Sequence, residues 1–209
     1  MLRESFVILS DIIPDAVYDL RYYGSNNFIG KRIDGYEESC AIITKTASEA
    51  LKKVNEELKN QGYRLKIFDC YRPQKAVDHF VRWAKDLSDT KMKAEFYPDV
   101  DKSELFSKGY IAEKSSHSRG STVDLTLVDA GTNEEIDMGS SFDFFSEISH
   151  PDFIGELTEK QRENRRILRD AMLSCGFLPL DSEWWHFTLS NEPFANEYFD
   201  FDIKRSSIE

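Results

Sequence analysis

Cysteine is scarce in this 209-residue chain: Cys40, Cys70 and Cys175 are odd in number, far apart and free of CxxC spacing. Such usage argues against a disulfide framework and a thiolate metal site, and it points to reduced thiols in a cytoplasmic setting. Long apolar runs are also missing. The opening Met-Leu-Arg-Glu-Ser-Phe-Val-Ile-Leu-Ser-Asp lacks the apolar core and small-residue cleavage site of a secretory signal. No later stretch approaches ~18 apolar residues, so no membrane partner is expected. Positive charge is outweighed, with 27 Lys and Arg against 38 Asp and Glu for a formal net charge of -11. Nucleic acid and anionic membranes reward clustered Lys and Arg, so neither is an expected partner and a small or cationic ligand suits the chain better. Linkers rich in glycine, serine or proline, internal repeats and low-complexity tracts are absent, which leaves a single domain over residues 1–209. Walker, dinucleotide-binding and GxSxG loops are absent as well.

What is present reads as alternating helix and strand signals without a strict βαβ order. Thr46-Ala-Ser-Glu49 has capping-box form, and Ala47, Ala50, Leu51, Val54 and Leu58 follow at helical spacing until Gly62 stops the run. Residues 63 to 69 alternate as a half-buried strand does, and Pro73 can open a helix that turns Ala76, Val77, Phe80, Val81 and Ala84 inward and ends near Leu87. Residues 88 to 109 read as a polar excursion. In residues 121 to 128, Val123, Leu125 and Leu127 share one strand face and Thr122, Asp124 and Thr126 the other. A second capping box, Thr158-Glu-Lys-Gln161, opens a helix that ends at Gly176, and residues 177 to 188 read as a turn and strand pair. The pattern predicts an α+β fold with a largely antiparallel central sheet and flanking helices.

Histidine is nearly as scarce as cysteine, and two of the four histidines stand beside carboxylates. His117 lies in Ser115-Ser-His-Ser-Arg-Gly-Ser-Thr-Val-Asp124, and His186 ends Glu183-Trp-Trp-His186. His117, Asp124 and His186 would give zinc two imidazole nitrogens and one carboxylate oxygen, leaving a fourth position for water. Glu183, in aromatic surroundings that raise a carboxylate's pKa, would be the base beside that water. The bland reading is equally open from these residues alone: Trp184 and Trp185 fill the core, with Glu183 and His186 at its rim. Arg72, at a strand-helix junction, could meet an oxyanion as a fixed cation or serve in a structural ion pair. Tyr22 and Asp143 could hold an ammonium group, although the sequence alone does not select them. Ser115 and Ser116 adjoin His117, but neighbouring side chains in an extended segment point apart, which argues against a serine nucleophile. His79 and His150 have no partner pattern and read as structural.

Taken together, residues 115–124, Glu183-Trp-Trp-His186 and Tyr71-Arg-Pro73 closely resemble the VanX-type D-alanyl-D-alanine dipeptidases. Tyr22 with Asn27-Phe28 and Gly30, Asp34-Gly-Tyr36, Met138-Gly139, Phe142-Asp-Phe144 and Tyr198-Phe-Asp-Phe201 look like family segments in the expected order, so the resemblance spans nearly the whole chain. It implies a zinc dipeptidase with one Zn2+ per chain on His117, Asp124 and His186, Glu183 as catalytic base and Arg72 stabilising the transition state. It also implies that Tyr22, Ser115 and Asp143 bind the ends of a small dipeptide. The fold implied is the small α+β fold of zinc D,D-peptidases and Hedgehog domains, and family members suggest a homodimer. Thr122 departs from the smaller residue often seen before the Val-Asp pair. Two alternatives stand beside D-Ala-D-Ala hydrolysis: a related zinc peptidase acting on another short D-amino-acid or cell-wall peptide, and a non-catalytic zinc module. Vancomycin resistance and cell-wall turnover are equally compatible purposes.

Overall fold

The computed structural model describes residues 2–209. Among the described residues seven strands form two sheets: β1 (Phe6–Ile8), β2 (Val17–Tyr18), β3 (Ile42–Thr44), β4 (Tyr63–Asp69), β5 (Thr122–Asp129), β6 (Phe177–Leu180) and β7 (Glu183–Leu189). The central sheet has the order β2-β4-β5-β7-β6, antiparallel throughout except for the parallel β2–β4 pair at one edge. The long helices are α1 (Lys45–Lys59), α2 (Gln74–Lys85) and α3 (Glu159–Ser174). Helix α1 lies on β4 and α3 on β6, with the two helices side by side. The architecture is therefore the expected mixed α+β, with a small β1–β3 sheet that the periodicity did not signal.

Strand β4 keeps the predicted bounds, and its Leu65 and Ile67 lie opposite Leu127 and Leu125 of β5, all four fully buried. Strand β5 differs from expectation in one respect: its polar face is buried too, with Thr122, Asp124 and Thr126 closed off from solvent. The predicted start of α1 is corrected as well. Thr46 is exposed within the first turn, and the cap is Thr44, whose hydroxyl accepts from the Ala47 N–H at 3.4 Å and meets Ser121 Oγ at 2.7 Å. Because β3 ends on Thr44 in extended conformation, strand passes directly into helix. At α3 the predicted capping box is present in full, with Thr158 and Gln161 each bonding the other's backbone N–H. Residues 88 to 109, read as a polar excursion, return to the core through Phe96, Tyr97, Val100 and Leu105, all buried. Their polar neighbours disguise apolar positions that follow no regular period.

Candidate metal centre and substrate pocket

Strand register builds the first half of the site. Asp69 lies opposite Asp124 across β4–β5, and Asp124 opposite His186 across β5–β7, so three adjacent strands place one ionisable side chain each in a single transverse row. His117 arrives on a 3-10 turn, Ser116–Arg119, whose cap Ser115 accepts from the His117 N–H at 3.3 Å. That turn closes on Gly120 at φ 84°, where a Cβ would stand 2.3 Å from the Phe6 ring, so only glycine fits.

Hydrogen bonds assign the ring nitrogens. His117 Nδ1–H donates to the Cys70 carbonyl at 2.6 Å, which leaves the Nε2 lone pair turned towards Asp124 Oδ2 at 3.1 Å and His186 Nδ1 at 3.3 Å. His186 Nε2 meets Ser116 Oγ at 3.2 Å, and its Nδ1 lies 3.1 Å from Asp124 Oδ1. Burial pushes the His117 pKa down to about 4, which keeps that imidazole neutral. Burial alone would raise the Asp124 pKa, but His117 and His186 more than offset it and hold the carboxyl well below its usual range.

A cation fits this cluster on three counts. The donor atoms lie within 4.8 Å of one another. The two imidazole nitrogens stand 3.3 Å apart, close to the ~3.3 Å expected between tetrahedral ligands with bonds of ~2.0 Å, and each lies 3.1 Å from a different oxygen of Asp124. Asp124 Oδ1, moreover, is buried without a hydrogen-bond donor among the described residues. The His117 Nε2 lone pair, His186 Nδ1 and the Asp124 carboxylate thus converge; burial lowers the His186 pKa but Asp124 and Glu183 more than restore it, so a bound cation would take the place of a His186 proton.

Around the cluster stand the other predicted residues. The Glu183 carboxylate lies 3.5 Å from His186 Nδ1, and burial raises its pKa despite the opposing pull of His186. Arg72 donates from Nε to Asp69 Oδ2 at 3.0 Å and from Nη2 to Asp124 Oδ2 at 3.4 Å, and its Nη2 pairs with Asp69 Oδ2 at 2.9 Å. Its guanidinium carbon lies 4.9 Å from the centre of the Tyr22 ring and 5.1 Å from that of Phe80. Tyr22 OH donates to Asp143 Oδ2 at 2.8 Å, and Asp143 holds the left-handed φ of 61°. Burial raises the Asp143 pKa well above the ordinary range, so the carboxyl is one that a cation would stabilise. All eight predicted residues, Tyr22, Arg72, Ser115, His117, Asp124, Asp143, Glu183 and His186, line one cavity of about 300 Å³.

Two features were not legible. The tryptophans of Glu183-Trp-Trp-His186 do not line this cavity. Trp185 packs against Phe142 in the core, and Trp184 donates from Nε1 to Ser140 Oγ at 2.9 Å, so the bland reading holds for both rings. Asp69 was missed altogether. It fixes Arg72 while Tyr36 OH donates to its other oxygen at 2.7 Å, and burial raises its pKa to about 7. A carboxylate following Ile67-Phe68 at the end of the strand, three residues before Arg72, was the available signal. His79 and His150 stay outside the cluster, as expected.

The cluster has the donors of a metal centre, and the family match makes this chain a metallopeptidase. Residues 3–204 match the Peptidase_M15 model, described as D-ala-D-ala dipeptidase, and the chain belongs to that family. It is 43% identical to a D-alanyl-D-alanine dipeptidase of Enterococcus faecium over 203 residues, covering 97% of this chain and 100% of that one. A D-alanyl-D-alanine dipeptidase of Streptomyces coelicolor is 40% identical over 97% of this chain and 100% of its own length. The D-alanyl-D-alanine dipeptidase of Escherichia coli is 33% identical over 88% of this chain and 83% of its own length. Among the described residues no helix is long and apolar enough to cross a membrane.

Proposed function

We propose that this chain hydrolyses D-Ala-D-Ala to two D-alanines, with one zinc ion held by His117, Asp124 and His186. The observation that carries the reading is the convergence of all eight residues on one cavity whose volume lies at the small end for ligand sites. Bound there, zinc would supply a Lewis acid for the scissile carbonyl and the attacking water. Glu183 takes the proton from that water and delivers it to the leaving amine, a task suited to a carboxyl whose pKa is raised by burial. Arg72, aimed by Asp69, turns its uncommitted Nη1 hydrogens to the developing oxyanion. Asp143, paired with Tyr22, receives the substrate ammonium, and Ser115 stands at the carboxylate end. Three cluster ligands among the described residues leave a position open, which favours catalysis over a closed structural zinc module.

The experiment is release of D-alanine from D-Ala-D-Ala by metal-loaded protein, a chelated sample and a Glu183→Ala variant. Turnover that needs both metal and Glu183 supports the reading; turnover indifferent to either overturns it. Acylated and longer peptides in the same assay decide the alternative substrates. The free thiols Cys40, Cys70 and Cys175 support a cytoplasmic setting, and light scattering tests the homodimer suggested by the family resemblance.

A further inference from the structure

The segment that carries Asp143 has little regular structure: between residues 137 and 151 only Glu147–Ser149 forms a 3-10 turn. Asp143 itself holds a left-handed backbone, which a residue with a Cβ keeps only when its surroundings impose it. One side chain from outside binds the segment on both sides of that residue. Arg165 of α3, 6% exposed, donates from Nε to the Met138 carbonyl at 2.6 Å and from Nη1 to the His150 carbonyl at 3.1 Å. Its Nη2 reaches the Ile148 carbonyl at 2.8 Å and Ser140 Oγ at 3.3 Å. These partners are carbonyls and a hydroxyl, with no carboxylate among them. Burial accordingly pushes the guanidinium pKa down to about 10.

A buried cation with no carboxylate in direct contact, Asp137 acting only at longer range, is a costly way to close a loop. What it provides is a rigid planar fork that reaches several acceptors at once. The same Ser140 hydroxyl accepts from Trp184 Nε1 and lies 3.0 Å from Ser149 Oγ, which donates to the Phe144 carbonyl at 2.6 Å. One network therefore joins α3, both flanks of Asp143 and the neighbour of Glu183.

We infer that Arg165 is a positioning residue for the peptidase reaction, its guanidinium holding residues 138–150 so that Asp143 meets the substrate's ammonium group. The inference rests on the reading of Asp143 proposed above. It gives α3 a part in substrate selection although no residue of that helix lines the substrate cavity. Arg165 also lines a separate cavity of about 610 Å³, through which a small cation can reach the space left by its truncation.

Steady-state hydrolysis of D-Ala-D-Ala is compared for the wild type, Arg165→Lys, Asp143→Asn, and Arg165→Ala with and without methylguanidinium, recording metal content and melting temperature for each. Lysine keeps the charge but cannot span four acceptors, so R165K raises KM about tenfold while kcat stays within about threefold. Methylguanidinium returns the KM of R165A towards that of the wild type. A wild-type KM in R165K beside a raised KM in D143N overturns the inference and leaves the ammonium reading standing. An unchanged KM in D143N overturns the ammonium reading, and the inference with it. A kcat that falls with melting temperature at constant KM makes Arg165 merely structural and also overturns the inference. If R165A does not fold, R165K carries the test.

Discussion

Replacing Arg72 by lysine tests the site most directly, because it keeps the charge and removes the shape. Arg72 has five N–H donors. Two are committed, Nε–H to Asp69 and one Nη2–H to Asp124, and Nη2 also stands 2.9 Å from Asp69 Oδ2 in the ion pair. The two on Nη1 have no protein acceptor among the described residues, and Arg72 lines the substrate cavity. Losing one donor of this kind costs about 10²–10³-fold in kcat in enzymes that stabilise an oxyanion. A lysine ammonium drawn to Asp69 and Asp124 would present little to the cavity, so Arg72→Lys should lower kcat by ~10²-fold or more with KM changed only a few-fold. D-Alanine release measured at saturating zinc, with metal content checked in parallel, separates this effect from metal loss through the Asp124 contact. A variant with full metal and near-normal kcat would refute the oxyanion role.

Glu183→Gln should retain metal while kcat falls by ~10²–10⁴-fold, the range for removal of a general acid-base group; metal analysis beside turnover checks both halves. His186→Ala should instead lose metal, since two ligands hold zinc poorly, and its melting temperature should no longer respond to added zinc. Gly120→Ala forces a Cβ against Phe6 at a left-handed position and should destabilise the fold by ~1–3 kcal/mol in denaturant titration, weakening the turn that carries His117. Acid stability should depend on His79. Burial lowers its pKa below the ordinary 6.5, and its Nδ1 accepts from the Asp34 N–H at 3.2 Å. The unfolded chain therefore takes up the proton first, and stability falls as pH drops through ~6.5 towards the lower folded value. His79→Asn should flatten that part of the melting-temperature profile, and an unchanged slope would assign the acid sensitivity elsewhere.

Local chemistry explains which parts of the molecule could be read in advance. Strands β4 and β5 and the Thr158 cap obey short-range rules: β4 and the cap fall where expected, and β5 is displaced by one residue. His117 and Asp124 stood out because they share one compact polar run, whereas Tyr22, Ser115 and Asp143 came only with the family resemblance. What escaped depends on distance. Thr44 caps α1 because β3 ends there, a fact set by pairing with Phe6 of β1. Asp69 joins the site because β4 lies beside β5, and Trp184 is drawn from the pocket by Ser140, 44 residues away. The capping-box form at Thr46 was a local signal outweighed by that longer-range arrangement.

The transverse row of Asp69, Asp124 and His186 also bears on how the protein comes into being. Its members are separated by 55 and 62 positions and become neighbours only when three strands have found their register. A chain growing on the ribosome can display one or two of these groups, but it has no complete cage until β7 has emerged and paired. Because two of the proposed ligands, Asp124 and His186, belong to that row, binding of a zinc ion as proposed would be a late step that reports completion of the sheet.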